Sequence, residues 1–222
     1  MARINLTGPS GMGKTTLAKW ISEEYNIPFI SGSYSDLIPE TAKMPHKDMI
    51  AQDARLIFEQ DVTVLNLRRR HFDKLQTLVS DRSYLDSAAY FINKLSHRLP
   101  QCETEQFIET CRELTCMQCD KIIFIPADTY HLKHWDMEDN SKRSTNLYFH
   151  IEISQLIYWL IVDLWRAELE YTIDISDTKD APVYRVSMVK NRETFSTDIL
   201  VIPDSCIDWE KRKEFVDCFL RM

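Results

Sequence analysis

The segment Gly8–Thr15, which reads Gly-Pro-Ser-Gly-Met-Gly-Lys-Thr, decides the fold. It fits the pattern GxxxxGK(S/T), and it lies between an apolar strand-like run, Ile4–Leu6, and a helical pattern over about residues 14–25. Glycines let the main chain wrap closely around a phosphate group, and the N-terminus of the following helix adds partial positive charge. The segment therefore predicts a phosphate-binding loop (P-loop) that takes a nucleoside triphosphate.

The residue types in this loop predict how it binds ATP and Mg²⁺. Lys14 is long enough to reach the β- and γ-phosphates, which predicts a catalytic as well as a nucleotide-binding role. Thr15 follows it and can offer a hydroxyl oxygen to Mg²⁺. The other residues that we expect around the phosphates are Gly8, Ser10, Gly11, Met12, Gly13 and Thr16.

Strand-like and helical segments alternate along the rest of the chain, whose 222 residues suffice for one α/β domain. The predicted strands cover about residues 28–31, 75–80, 121–125, 182–189 and 199–202. The predicted helices cover about residues 46–74, 84–99, 103–119 and 146–170, and a last one begins near 208, whereas 174–182 is polar and turn-prone. This alternation predicts a three-layer α/β/α sandwich with a parallel sheet, as one domain over residues 1–222.

The composition restricts the compartment and the partners of the protein. The chain is 44% apolar with a formal net charge of −7, whereas proteins that bind nucleic acid through its phosphates are usually basic. Its apolar runs are too short to span a bilayer, and its start lacks the features of a signal peptide. With six cysteines and no secretory signal, we expect a cytoplasmic protein with reduced thiols and no membrane partner.

An acid and an arginine follow the strand predicted at about residues 75–80. The carboxyl ends of strands face the nucleotide in a doubly wound sheet, so Asp81 can hold Mg²⁺ through water or accept a proton from an attacking hydroxyl. Arg82 can clamp a phosphate through two parallel hydrogen bonds. Asp81 and Ser83 also suit the N-cap of the next helix, a role that is compatible with catalysis. We predict catalytic roles for Asp81 and Arg82, and a metal-binding role for Asp81.

The segment Asp81–Tyr90, which reads Asp-Arg-Ser-Tyr-Leu-Asp-Ser-Ala-Ala-Tyr, resembles the DRSxxDxxAY segment of certain small P-loop kinases. These are kinases of the nicotinamide-riboside kinase type (AAA-like) and their phage-type relatives. The segment is also similar to the corresponding segments of thymidylate kinases and deoxynucleoside kinases. The resemblance, which covers residues 3–165, implies a nucleoside/nucleotide kinase fold: a five-stranded parallel core sheet with the acceptor bound opposite ATP.

The resemblance also implies a lid after the fourth strand, at about residues 131–145. In kinases of this fold an arginine of the lid closes on the phosphates, where it offsets charge in the transition state and excludes water. Arg143 is the predicted lid arginine, with catalytic and nucleotide-binding roles, and Lys142 is the alternative. Asn140 and Ser141 depart from the Asp-Gly that relatives often carry there, and a solvated mix of charges is the other interpretation.

The residues that would bind the phosphoryl acceptor are harder to identify from sequence. Asp36 lies in a loop that lines the acceptor pocket in this fold, which predicts a catalytic general base or a sugar-hydroxyl partner, and a surface turn is the alternative. Tyr90 either stacks on a nucleobase or belongs to the core. Arg68–Arg70 favour a solvated helix end over a contact with a polyanionic acceptor. Adenine is expected near Arg185–Arg192.

One function follows first from these residues, and two alternatives stay open. The first is an ATP-dependent kinase, a phosphotransferase that moves the γ-phosphoryl group to a nucleoside or (deoxy)nucleoside monophosphate. One alternative is a phage-type DNA kinase that phosphorylates a hydroxymethylated pyrimidine in DNA, and the other is a non-catalytic NTP-binding switch. The expected partners are a small-molecule acceptor, DNA under the first alternative, and a second copy in a homodimer.

Overall fold

A computed structural model describes residues 2–39, 48, 51–127, 146–162, 171–178, 181–203, 206 and 208–222. Within these ranges the strands are β1 (Arg3–Thr7), β2 (Phe29–Ile30), β3 (Leu78–Ser80), β4 (Lys121–Phe124), β5 (Tyr171–Thr178), β6 (Ala181–Lys190) and β7 (Glu193–Val201). The helices are α1 (Lys14–Tyr25), α2 (Tyr34–Leu37), α3 (Ala54–Lys74), α4 (Tyr84–Leu95), α5 (Gln101–Gln118), α6 (Leu147–Val162) and α7 (Trp209–Arg221).

The strands form one sheet in the order β2-β3-β1-β4-β7-β6-β5. Strand β1 pairs in parallel with β3 and β4, β2 pairs in parallel with β3, and β4 pairs in parallel with β7. Strands β6 and β5 then extend the sheet in antiparallel pairing. The predicted parallel core is therefore confirmed, and an antiparallel pair of strands is added beyond it.

Two apolar clusters lie on opposite faces of this sheet. Along β4, Ile122 and Phe124 belong to one cluster while Ile123 belongs to the other, because successive side chains of a strand point to opposite faces. The first cluster contains buried side chains of α3, α4, α5 and α6, and the second contains those of α1 and α7. Helices thus cover both faces, which confirms the predicted three-layer α/β/α sandwich.

The main error of the sequence-based prediction concerns the polar segment 174–182. Residues 171–178 form strand β5, which pairs with β6 along its whole length from Tyr171↔Met188 to Thr178↔Ala181. The ladder of hydrogen bonds satisfies the main chain of this polar segment, so residues 174–178 form extended strand rather than a turn. The alternation Tyr171-Thr-Ile-Asp-Ile in the sequence was the signal for a strand.

Several helix bounds also differ from the prediction. Helix α3 begins at Ala54, where the carboxylate of Asp53 accepts hydrogen bonds from two main-chain N–H groups of the first turn. Helix α4 ends at Leu95 and α6 is described to Val162, while residues 163–170 lie outside the described ranges. In the part of the chain that the structure describes, no helix is both long enough and apolar enough to cross a membrane.

Candidate active site at the carboxyl edge of the sheet

The P-loop connects the carboxyl end of β1 to the first residue of α1. Two of its glycines are required by geometry: Gly8 has φ +142° and Gly13, the N-cap of α1, has φ +81°. A Cβ on Gly8 would lie 2.1 Å from the carbonyl oxygen of Ile125, closer than any side chain allows. The tight wrap of the main chain therefore depends on glycine, as the motif predicts.

The side chains of the P-loop divide between those that anchor it and those left at its surface. The Lys14 side chain is buried, and its ammonium group donates a hydrogen bond to the carbonyl oxygen of Pro9, across the loop. The Met12 side chain is buried in the cluster under α1 and α7. Thr15 and Thr16 are exposed on the first turn of α1.

Asp81 lies one residue beyond β3 and contacts the P-loop directly. The Thr15 hydroxyl donates to Asp81 Oδ2 at 2.6 Å, and the Gly32 N–H donates to Oδ1 at 2.8 Å. The parallel arrangement of β1, β3 and β2 brings these groups together, because each follows the carboxyl end of its strand. A side chain at position 32 would not fit, since a Cβ there would lie 2.7 Å from Arg82 Cβ.

The pair of Thr15 and Asp81 fits a Mg²⁺ ion by its chemistry and spacing. Mg²⁺ prefers oxygen ligands at about 2.0–2.1 Å in octahedral geometry, so neighbouring ligand oxygens lie about 3 Å apart. The Thr15 and Asp81 oxygens, at 2.6 Å, lie near that separation. These two residues, which the sequence predicts as metal ligands, are therefore adjacent and of the right type.

Arg82 reaches back over the P-loop with its guanidinium group. Its Nη1 donates to the carbonyl oxygen of Gly8 at 3.2 Å and to Asp86 Oδ1 at 3.0 Å, and its Nη2 donates to Ser10 Oγ at 3.2 Å. Burial alone would lower the pKa of Arg82, but Tyr90 and the Asp86 carboxylate raise it above its ordinary value. A permanent positive charge thus lies beside the phosphate-binding loop.

Asp86 is a functional residue to which the sequence analysis gave no role. It closes a capping box with Ser83, and its Oδ2 accepts the Ser83 N–H at 2.9 Å. Its Oδ1 accepts the Gly8 N–H at 3.3 Å as well as the Arg82 guanidinium. Burial alone would raise the pKa of Asp86, but Arg82 and Lys14 hold it below its ordinary value. The Ser-x-x-Asp spacing was the signal in sequence for the cap.

Tyr90 lies at the rim of this site and also packs against the core. Its hydroxyl oxygen is 3.5 Å from Ser10 Oγ, and its ring centroid is 5.6 Å from Cζ of Arg82. The ring is 6.1 Å from that of Phe149 in α6. Packing against the core, one of the two interpretations drawn from sequence, is therefore observed, and stacking on a nucleobase stays a prediction.

Asp36, the predicted base on the acceptor side, makes its hydrogen bonds within its own loop and not to the P-loop. Asp36 is exposed in α2, where its carboxylate accepts a hydrogen bond from the Ser31 hydroxyl and its N–H donates to Ser33 Oγ at 3.3 Å. Arg143 and Lys142, with the whole of the predicted lid at 131–145, lie outside the described residues.

The arginine cluster on α3 is not a uniformly solvated helix end, so that prediction is wrong for Arg68. Its side chain is buried, with Nη1 donating to the carbonyl oxygen of Ser83 at 2.5 Å and Nη2 to that of Gly32 at 3.0 Å. Arg69 and Arg70 are exposed. Arg68 therefore ties α3 to the main chain that follows β2 and β3.

The position of β6 does not support the expectation of adenine near Arg185–Arg192. Arg185 in β6 pairs with Asp198 in β7, which in turn pairs with Lys121, the first residue of β4. Because β7 runs parallel to β4 and β1, the β6–β7 turn lies at the amino edge of the parallel strands, opposite the P-loop. The segment that follows β7, which includes Cys206, is the one at the P-loop edge.

The fold and the geometry of this loop define a P-loop protein. A family model described as AAA domain (AAA_28) matches residues 3–172. The chain belongs to this AAA-domain family. No curated protein matches the chain by sequence similarity.

Solved structures with the same fold include deoxyadenosine kinase from M. mycoides with bound dATP, at a TM-score of 0.62 and 12% identity over 100% of both chains. YorR from Bacillus subtilis, in complex with phosphorylated GDP, has a TM-score of 0.42 and 18% identity over 71% of this chain and 78% of its own. NadR in complex with NR has a TM-score of 0.45 and 18% identity over 71% of this chain and 42% of its own. At 12% identity, the likeness to deoxyadenosine kinase describes the fold alone.

Proposed function

We propose that this protein is an ATP- and Mg²⁺-dependent kinase that transfers the γ-phosphoryl group of ATP to a nucleoside or (deoxy)nucleoside monophosphate. One observation carries the proposal: Asp81 and Arg82, which follow β3, both hydrogen-bond to the P-loop that follows β1. A P-loop by itself predicts only nucleotide binding. An acid and an arginine against it supply the positioning and the charge that phosphoryl transfer needs.

On the donor side, the P-loop binds the phosphates of ATP through its main-chain N–H groups and the N-terminus of α1. Lys14 exchanges its bond to the Pro9 carbonyl for the β- and γ-phosphate oxygens. Thr15 and Asp81 hold Mg²⁺, which neutralises charge on the phosphates when it is bound. Since both oxygens of Asp81 already accept hydrogen bonds, we assign it to the metal rather than to proton transfer.

Arg82 acts on the transferring or accepting phosphate. Its guanidinium is held by the Asp86 carboxylate, and its bond to the Ser10 hydroxyl is one that a phosphate oxygen can replace. Because its charge is permanent, it offsets the negative charge of the phosphoryl group at any physiological pH. Asp86 is thereby a positioning residue for Arg82.

The acceptor binds beyond the carboxyl ends of β2 and β3, near α2, α3 and α4. Asp36 is the base that takes the proton of the acceptor hydroxyl in this proposal, because it lies on this side of the sheet, after β2, and is exposed. A DNA acceptor has less local support than the sequence offered, since Arg68 is committed to two main-chain carbonyl groups and only Arg69 and Arg70 of the cluster are exposed. A small acceptor agrees better with the net charge of −7.

The first experiment measures ATP consumption with Mg²⁺ against nucleosides, nucleoside monophosphates, nicotinamide riboside, and DNA with and without hydroxymethylpyrimidine. We expect turnover on one small acceptor. Turnover on modified DNA alone would replace the proposal by the DNA kinase. ATP binding without turnover on any acceptor would favour the non-catalytic switch.

Variants then test the assigned roles on the acceptor so found. Arg82→Ala should lower kcat by at least about 100-fold, since it removes charge stabilisation of the transferring group. Arg69→Ala is the matched control, an exposed arginine whose loss should change nothing. Asp81→Asn should raise the Mg²⁺ concentration needed for half-maximal activity, whereas Asp36→Asn should remove the acidic limb of the pH–rate profile. An Arg82→Ala enzyme with wild-type kcat would contradict the role given to this residue.

A further inference from the structure

The C-terminal helix α7 reaches the P-loop through one buried arginine. The Arg212 side chain sends Nη1 to the carbonyl oxygen of Met12 at 3.2 Å and Nε to the carbonyl oxygen of Cys206 at 2.8 Å. A Cβ added to Gly13 would lie 3.8 Å from Arg212 Nη1, an ordinary packing distance. The guanidinium therefore packs against the main chain of the P-loop at Met12 and Gly13.

The hydrogen bond from Arg212 fixes the orientation of the peptide unit that joins Met12 to Gly13. The carbonyl of Met12 and the N–H of Gly13 belong to one planar trans peptide, so they point in opposite directions. Because Arg212 holds the carbonyl, the Gly13 N–H points away from α7. A P-loop binds phosphate through N–H groups of this part of the loop, and an N–H group that can rotate is a weaker donor to a fixed anion.

The same region of α7 also holds the side chain of this peptide. Met12 is only 2% exposed, and its cluster includes Phe215 and Phe219 of α7 and Cys206 before that helix. Arg212 itself is placed by the first turn of α7, where its N–H bonds to the Asp208 carbonyl at 3.1 Å. Both the carbonyl and the side chain of Met12 thus depend on α7.

We propose that Arg212 is a positioning residue for the phosphoryl donor. By fixing the Met12–Gly13 peptide it aims the Gly13 N–H at the phosphates, and it couples the segment after β7 to the P-loop. This inference rests on the proposed function only in taking ATP as the ligand of the P-loop. It gives α7, which follows the last strand of the sheet, a role in ATP binding.

The test compares Arg212→Met, which keeps length and removes the donors, with Arg221→Met on the last turn of the same helix. Arg221 is an exposed residue paired with Asp217, so its replacement leaves the P-loop untouched. Titration calorimetry with ATP and Mg²⁺ should give about 10-fold weaker binding for Arg212→Met, the loss expected when a hydrogen bond involving a charged group is removed. Arg221→Met should bind ATP like the wild type.

A second pair of ligands separates positioning from general loss of structure. Inorganic pyrophosphate should lose affinity for Arg212→Met in parallel with ATP, whereas adenosine, which has no phosphate, should not. The KM for the acceptor should not change. An Arg212→Met protein that is less stable to heat but binds ATP and pyrophosphate with wild-type affinity would overturn the proposal.

Arg212→Lys covers the case in which Arg212→Met does not fold. Lysine keeps the charge but lacks the planar fork that reaches two carbonyl groups, so ATP binding should weaken by about 3-fold. Unchanged ATP affinity in this variant would also overturn the inference. A wild-type protein that binds ATP but phosphorylates no acceptor would refute the kinase function alone, and one that binds neither ATP nor pyrophosphate would refute both.

Discussion

Two buried carboxylates of this protein, Asp86 and Asp61, are each paired with a cation, yet their pKa values shift in opposite directions. Asp86 is 3.0 Å from Arg82 Nη1, and its pKa is held below the ordinary value although burial acts to raise it. Asp61 in α3 accepts two hydrogen bonds of 3.0 Å from the Lys94 ammonium of α4, yet burial raises its pKa.

The number of donors around each carboxylate explains the difference. Asp86 accepts N–H groups of Gly8 and Ser83, the Ser83 hydroxyl and the Arg82 guanidinium, and Lys14 adds a second positive charge. For Asp61, the Lys94 ammonium and a hydrogen bond from Tyr34 offset only part of the effect of burial. The pKa of a buried carboxylate is thus lowered where several donors and two cations surround it, and here that place is the phosphate-binding loop.

The largest effect on stability is expected when Asp86, the carboxylate with several donors, is replaced by a neutral side chain. Asp86→Asn leaves Arg82 without its anionic partner and weakens the cap of α4, which should cost about 3–5 kcal/mol of unfolding free energy. Urea unfolding measures this, and the matched control is Asp61→Asn. If both variants lost the same stability, the contrast between the two carboxylates would be wrong.

An intermediate effect on stability is expected when Lys94, the cation paired with Asp61, is replaced. Lys94→Met should cost about 1–3 kcal/mol, because a lone buried carboxylate takes up a proton rather than staying charged. The double variant Asp61→Leu/Lys94→Met should recover most of that stability, as exchanging both partners of a buried pair for apolar groups often does. A double-mutant cycle by urea unfolding checks this, and a double variant less stable than both single variants would contradict it.

The smallest effect is expected in the pH dependence of folding stability. The two carboxylates should contribute to it with opposite signs. The pKa of Asp61 is raised on folding, so its contribution to stability is present below its ordinary value near pH 4 and is lost as pH rises through its folded pKa. The pKa of Asp86 is lowered, so its contribution is present above about pH 4 and is lost as pH falls toward its folded pKa. Unfolding of the wild type, Asp61→Asn and Asp86→Asn between about pH 3 and 7 measures both differences, and slopes of the same sign would refute the comparison.

The parts of the site that could be predicted from sequence are those whose chemistry is local. The P-loop is a continuous motif, and Asp81 with Arg82 directly follows an apolar run, so the parallel fold alone predicts that they meet. The roles proposed for these residues remain predictions. The layers and the parallel core of the sheet were likewise predictable from the alternation of strands and helices.

The parts that could not be predicted depend on how distant elements pack. Nothing in the run of three arginines on α3 indicates that Arg68 alone turns inward, because that depends on which face of α3 meets β2 and β3. Arg212 is 200 positions from Met12, so no local pattern joins them. The sequence also does not show that β6 runs antiparallel to β7, so it could not place Arg185 relative to the P-loop.

The close approach of Gly32 to Arg82 and Ser80 limits which substitutions this region can accept. A Cβ at this position would meet Arg82 Cβ at 2.7 Å and Ser80 Oγ at 3.0 Å, so the loop after β2 and the arginine after β3 touch without any spare room. Exposed positions around Asp36 can therefore be substituted, whereas any side chain at position 32 has to displace Arg82 or Ser80.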